Sequence, residues 1–121
     1  MSGLDGTNGA VFDYYPRLKR LREYVEQTYS EPISLGNAAS IAALESSYFS
    51  TYFRAKVGIT FTKWLRQVRI EKAMELMKAS DFSITHIAYE VGFRSLESFG
   101  RAFKQHTRMA PREFKTTVAP E

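Results

Sequence analysis

The chain carries two histidines, His86 and His106, and no cysteine among its 121 residues. The histidines lie twenty residues apart with no i, i+4 partner, so the spacing supplies no zinc site. Without cysteine there is no thiol nucleophile, no thiolate metal site and no disulfide framework. Gly92 and Gly100 are isolated and form no Gly-rich phosphate loop, and no serine sits in a nucleophile-elbow pattern. Neither catalysis, a metal nor a cofactor is expected. The side chains left with chemistry to do are the cations. Residues 54–72 hold Arg54, Lys56, Lys63, Arg66, Arg69 and Lys72 against Glu71, a net +5. Residues 94–115 hold Arg94, Arg101, Lys104, Arg108, Arg112 and Lys115 against Glu97 and Glu113, a net +4. The whole chain is only +4, so the remainder is −5. That polarised distribution suits a polyanionic partner better than the pI of 9.4 alone suggests.

The elements that must position these cations are helices. A composition of 44% hydrophobic and 25% charged residues is that of a folded globular chain. No apolar run approaches the roughly 20 residues that span a bilayer, and the N-terminus lacks the pattern of a secretory signal. No membrane partner is expected. Residues 1–12 read as a flexible lead-in, either a linker or an appended tag. From Pro16 to Thr28, Leu18, Leu21, Tyr24, Val25 and Thr28 form one helical stripe, ended by Glu31-Pro32. Six further helices follow. Ser34 caps one to Ala42, and Glu45 or Ser46 caps one to about Arg54, closed by Gly58. Thr60 caps a long helix over about 61–78, and Ser83 caps one to Val91 before Gly92. Ser95 caps one to about His106, and Ala110-Pro111 starts the last. The fold class is all-α, with about seven helices.

The chain also repeats itself. Ser34-Leu35 matches Ser83-Ile84 and Ala39 matches Ala88 at an offset of 49; Phe49 matches Phe99, Phe53 matches Phe103 and Arg54 matches Lys104 at an offset of 50. The one-residue slip falls in the turn between two short helices. Ala39 and Ala88 permit close helix crossing, and the aromatic pairs at i, i+4 anchor the second helix inward. Each half is thus a helix-turn-helix unit, whose second helix enters the major groove in DNA-binding versions.

The segment Ser83-Ile84-Thr85-His86-Ile87-Ala88-Tyr89-Glu90-Val91-Gly92-Phe93, with Ser95, Phe99, Arg101-Ala102-Phe103-Lys104 and Pro111 to Lys115, resembles the signature of the AraC/XylS family of bacterial transcription regulators. Ser47-Tyr48-Phe49-Ser50, Phe53-Arg54, Gly58 and Leu65 to Ala73 match the same family, so the resemblance covers about Leu18 to Lys115. It implies two helix-turn-helix subdomains joined by a long linker helix. The first lobe spans about 16–58, the linker 61–78 and the second lobe 82–115, all within a DNA-binding domain over 13–121. It also implies a cytoplasmic bacterial transcription factor, usually an activator, with this domain as the output part of a longer regulator. The expected partners are double-stranded DNA and RNA polymerase, with the isolated domain monomeric. Three residues depart from the family pattern: Ala43 and Arg108 stand where glycine is usual, and Glu45 replaces a capping serine.

A linker of about 18 residues is roughly 27 Å long, which suits recognition helices in successive major grooves about 34 Å apart. The first recognition helix turns Ser46, Ser47, Ser50, Thr51 and Arg54 outward, and the second turns Leu96, Glu97, Gly100, Arg101 and Lys104 outward. Small hydroxyls discriminate bases weakly, whereas Arg101 can pair bidentately with guanine. Glu97 can accept from cytosine N4 or instead pair with Arg101 or Arg94. By the family resemblance, Ser47, Ser50, Thr51, Leu96, Glu97, Gly100 and Arg101 face bases. Ser46, Arg54, Arg94, Ser95 and Lys104 are assigned to the backbone. Arg69, on the linker helix, fits an internal contact as well as a phosphate. Two other classes are compatible with the chain. One is a protein-interaction module using the helix Pro16 to Thr28 or Tyr29, Tyr48 and Tyr52. The other is a small-molecule sensor, for which a core this small leaves little room.

Overall fold

In the computed structural model, residues 9–118 are described; the lead-in expected over 1–12 therefore lies outside them up to residue 8. Among the described residues there are eight helices and no strand: α1 (Val11–Tyr14), α2 (Pro16–Thr28), α3 (Leu35–Ile41), α4 (Ser46–Val57), α5 (Phe61–Ala79), α6 (Ile84–Glu90), α7 (Leu96–Thr107) and α8 (Pro111–Val118). Seven of these are the helices the sequence predicts. The eighth, α1, corrects the end of the lead-in. Phe12 is 3% exposed, stacked 5.0 Å from Trp64 and edge-on 6.1 Å from Phe53. A four-residue segment shows no periodicity; packing on a distant tryptophan makes it helical.

The chain divides into two compact units at the Leu65–Arg66 bond, inside α5. The helix expected as the linker contributes residues to both units. Its first turn completes the first unit, where Phe61 lies 5.7 Å from Phe49 and 5.5 Å from Phe53, and Trp64 lies 5.7 Å from Phe53. The remainder opens the second unit, with Ile70, Ala73 and Met77 buried.

This division exposes a longer repeat than two helices. Arg17 and Arg20 on α2 recur as Arg66 and Arg69 on α5, at the same offset of 49 as the helix-turn-helix. At the other end, Trp64 recurs as Phe114, and the Phe53–Trp64 contact at 5.7 Å recurs as Phe103–Phe114 at 5.5 Å. Each unit is thus a four-helix pattern: α2, α3, α4 and the start of α5, then the rest of α5, α6, α7 and α8. In each, two aromatics of the recognition helix are completely buried, Phe49 and Phe53 or Phe99 and Phe103. Truncating one such side chain costs about 3–5 kcal/mol.

The turn inside each unit uses the same hydrogen bonds. Leu44 N–H donates to Ala39 O (2.9 Å) and Ala43 N–H to Ser40 O (3.0 Å); Phe93 N–H donates to Ala88 O (3.0 Å) and Gly92 N–H to Tyr89 O (3.1 Å). These are Schellman turns, in which the residue after the helix adopts a left-handed backbone. Gly92 does so at φ 106°, whereas Ala43 is forced to φ 59°. The arrangement inverts at the end of the recognition helix, where Gly58 (φ 102°) corresponds to Arg108 (φ 66°). Left-handed backbone costs an L-residue roughly 1–2 kcal/mol, so each unit carries one strained turn. Local bonds hold both. The Arg17 guanidinium donates to Ala42 O (3.0 Å) and Ala43 O (2.8 Å), and Arg20 Nε to Ile41 O (3.2 Å). Beside Arg108, Thr107 Oγ1 donates to Phe103 O (2.8 Å) and accepts from Met109 N–H (3.1 Å).

Candidate nucleic-acid interface

The first recognition helix, α4, begins at Glu45, whose side chain makes no capping bond, and ends at Gly58 beside Arg54 and Lys56. Phe49, Phe53 and Val57 fix its inner face. The helical period then leaves Ser46, Ser47, Ser50, Thr51 and Arg54 exposed, as the sequence predicts. Ser50, Thr51 and Arg54 line one open groove together with Ala55 and with Thr60, which the sequence marks only as a helix cap. Thr60 also caps α5, accepting from Lys63 N–H at 3.2 Å.

The second recognition helix, α7, is more firmly built. Ser95 Oγ accepts from Ser98 N–H at 3.0 Å, a true side-chain cap. Its assignment to the DNA backbone therefore leaves only the hydroxyl proton for a phosphate. At the far end His106 Nε2 lies 2.7 Å from Glu71 Oε2, tying α7 to α5 within the second unit. The His106 side chain is 7% exposed, so this pair is shielded from solvent on the imidazole side. Leu96, Glu97, Arg101 and Lys104 are exposed and Gly100 is half-exposed, all on the outer face. Arg94 is exposed in the preceding turn, and Glu97 forms an ion pair with neither Arg94 nor Arg101. A Cβ placed on Gly100 would meet nothing within 4 Å among the described residues outside its own helix backbone, so packing there leaves room for a side chain.

Several cations of the two basic segments are engaged within their own unit. Lys56 sits over the rings of Tyr15 (4.9 Å) and Tyr52 (5.8 Å), and Lys115 Nζ donates to Phe82 O at 2.7 Å. Arg69 is half-buried, and burial pulls its guanidinium below its usual value, in keeping with an internal role. Away from both helices, the Arg22 guanidinium hydrogen-bonds Asp13 Oδ1 at 2.7 Å. That bond, and then the charge, holds the carboxyl below its ordinary value of 3.8. Of the three tyrosines considered for protein contacts, Tyr48 is exposed while Tyr29 and Tyr52 are half-buried. Among the described residues no three acidic, histidine or cysteine side chains gather into a metal site, and no helix is long and apolar enough to cross a membrane.

A family model described as a helix-turn-helix domain matches residues 38–117. The chain is 30% identical over 102 residues to the regulatory protein PocR of Salmonella typhimurium, covering 84% of this chain and 34% of PocR. Among solved structures, the C-terminal domain of AraT, a response regulator from Geobacillus stearothermophilus, is 28% identical with a TM-score of 0.79, over 88% of each chain. An AraC-type DNA-binding regulator from Chromobacterium violaceum is 23% identical with a TM-score of 0.82, over 88% of this chain and 96% of that one. The chain thus spans about a third of the length of PocR. These relatives are a regulatory protein, a domain of a response regulator and a transcriptional regulator, and none is named as an enzyme. With two helix-turn-helix units, two exposed recognition faces and a family match over most of its length, the chain belongs to the AraC/XylS family of helix-turn-helix DNA-binding transcription regulators.

Proposed function

We propose that this domain is the sequence-reading output part of a longer cytoplasmic regulator, acting as an activator, and that α4 and α7 enter successive major grooves of one duplex. The observation that carries this reading is the repeated unit itself. The same buried aromatic pair fixes two recognition helices, so each leaves one exposed polar face. The 19 residues of α5 amount to roughly 28 Å of helix, close to the 34 Å repeat of the groove. A single copy then suffices for an asymmetric site, and the isolated domain binds as a monomer. As an activator it would combine DNA binding with contact to RNA polymerase.

On this reading Ser47, Ser50, Thr51, Leu96, Glu97, Gly100 and Arg101 face bases, and Ser46, Arg54, Arg94, Ser95 and Lys104 face the backbone. Arg101 is the strongest reader, because its fork matches guanine O6 and N7. Glu97, which has no ion-pair partner among the described residues, is available to cytosine N4. Hydroxyl-radical footprinting on a selected site tests the geometry. Two protected segments one helical turn apart, with one copy per site, are expected; protection of a single groove segment would contradict it.

A further inference from the structure

The second unit contains a polar groove that the recognition faces do not explain. Arg66 of α5 and Ser98, Arg101, Ala102 and Gln105 of α7 line it. On α7, Ser98, Ala102 and Gln105 follow at i, i+4 and i+7, so they form one flank of the helix, and Arg101 stands between that flank and the outer face. The functional side chains here are two guanidiniums, a carboxamide and a hydroxyl, and Arg66, Arg101 and Gln105 are exposed. Among the described residues neither Arg66 nor Arg101 has a carboxylate partner. The equivalent of Arg66 in the first unit, Arg17, is by contrast consumed by Ala42 O and Ala43 O. In the second unit the corresponding turn carries Gly92, at φ 106°, which needs no such support. The glycine thus leaves an arginine free for another task.

We infer that this groove holds a backbone phosphate of the bound DNA, gripped by Arg66 and Gln105, and that this contact sets the register of α7 while Arg101 remains free to read a base. Planar guanidinium donors matched to phosphate oxygens make such contacts strong and directional. The inference rests on the DNA reading above and deepens it: Arg66 becomes an anchor, and the sequence information stays with the outer face of α7.

The test measures binding of Arg66→Gln, Gln105→Ala and the parent domain to a selected site and to a random duplex, across 50 to 200 mM salt. For Arg66→Gln, affinity should fall by the same factor on both duplexes. Its total loss of affinity between 50 and 200 mM should also shrink by about 3.5-fold, the signature of one fewer neutralised phosphate. Gln105→Ala should weaken both duplexes equally with the salt slope unchanged. Both positions are exposed, so melting temperatures should stay close to the parent value. Unchanged affinity and slope in Arg66→Gln, or a loss confined to one sequence, would overturn the phosphate site. A parent domain that binds no duplex at 50 mM would instead overturn the DNA reading itself.

Discussion

In the first unit α4 offers three serines, a threonine and Arg54 to the outside, starts at an uncapping Glu45 and follows a turn strained at Ala43. In the second, α7 offers Leu96, Glu97, Gly100, Arg101 and Lys104, starts at a capping Ser95, follows a relaxed glycine turn and is tied to α5 through His106 and Glu71. The inner faces are nearly interchangeable and the outer faces are not. Packing therefore constrains only the positions that face inward, and chemistry has diverged on the rest. Side chains able to discriminate bases sit on the more firmly held helix. Small hydroxyls, which read bases weakly, sit on the other.

The comparison predicts its largest difference in binding. Arg101→Ala should cost about 1–3 kcal/mol on the cognate site and relax the preference at one base pair, whereas the equivalent Thr51→Ala should cost under about 1 kcal/mol. Competition binding against sites altered one base pair at a time would check both; a uniform loss for Arg101→Ala would make it a phosphate contact. The turns come next. Gly92→Ala should destabilise by about 1–2 kcal/mol and Ala43→Gly should stabilise by about 0.5–1 kcal/mol, because only the first forces a side chain into left-handed backbone. Chemical denaturation resolves differences of this size, and equal effects at the two positions would remove the asymmetry. At the helix starts, Ser95→Ala should cost about 1 kcal/mol, and Glu45→Ser should gain somewhat less. At Gly100 stability and binding are expected to move in opposite directions. Replacing Gly100 by alanine should raise stability by about 0.5–1 kcal/mol, since among the described residues the added Cβ meets nothing within 4 Å outside its own helix backbone. It should weaken cognate binding all the same, because the backbone of α7 is expected to approach the DNA there. Tighter binding by Gly100→Ala would refute that approach.

Much of this architecture is legible in the sequence because it is local. Ser34, Ser83 and Ser95 announce helix starts through their own hydroxyls, and Gly58 and Gly92 announce turns through their backbone freedom. The outer faces follow from the helical period once Phe49, Phe53, Phe99 and Phe103 point inward. What escapes the sequence is what depends on distant partners. Helix α1 exists because Phe12 reaches Trp64, fifty-two positions away. The full four-helix repeat is hidden because α5 serves both units and because Trp64 and Phe114 are similar without being identical. The groove around Arg66 escapes for the same reason: the helix that bears it reads as a connector, and of its neighbours on α7 only Arg101 belongs to the outward face, while Ser98, Ala102 and Gln105 lie off it. Strain at Ala43 and Arg108 is visible in the sequence only as a departure from glycine.

Selection of bound duplexes from a random pool tests the central claim most directly, that two equivalent units read DNA unequally. The expected result is an asymmetric site whose strongest base preferences fall under α7, with weaker preferences one helical turn away, and with the strongest position lost for Arg101→Ala. A pool that yields no enriched sequence, or a site whose two halves are equally specific, would contradict it.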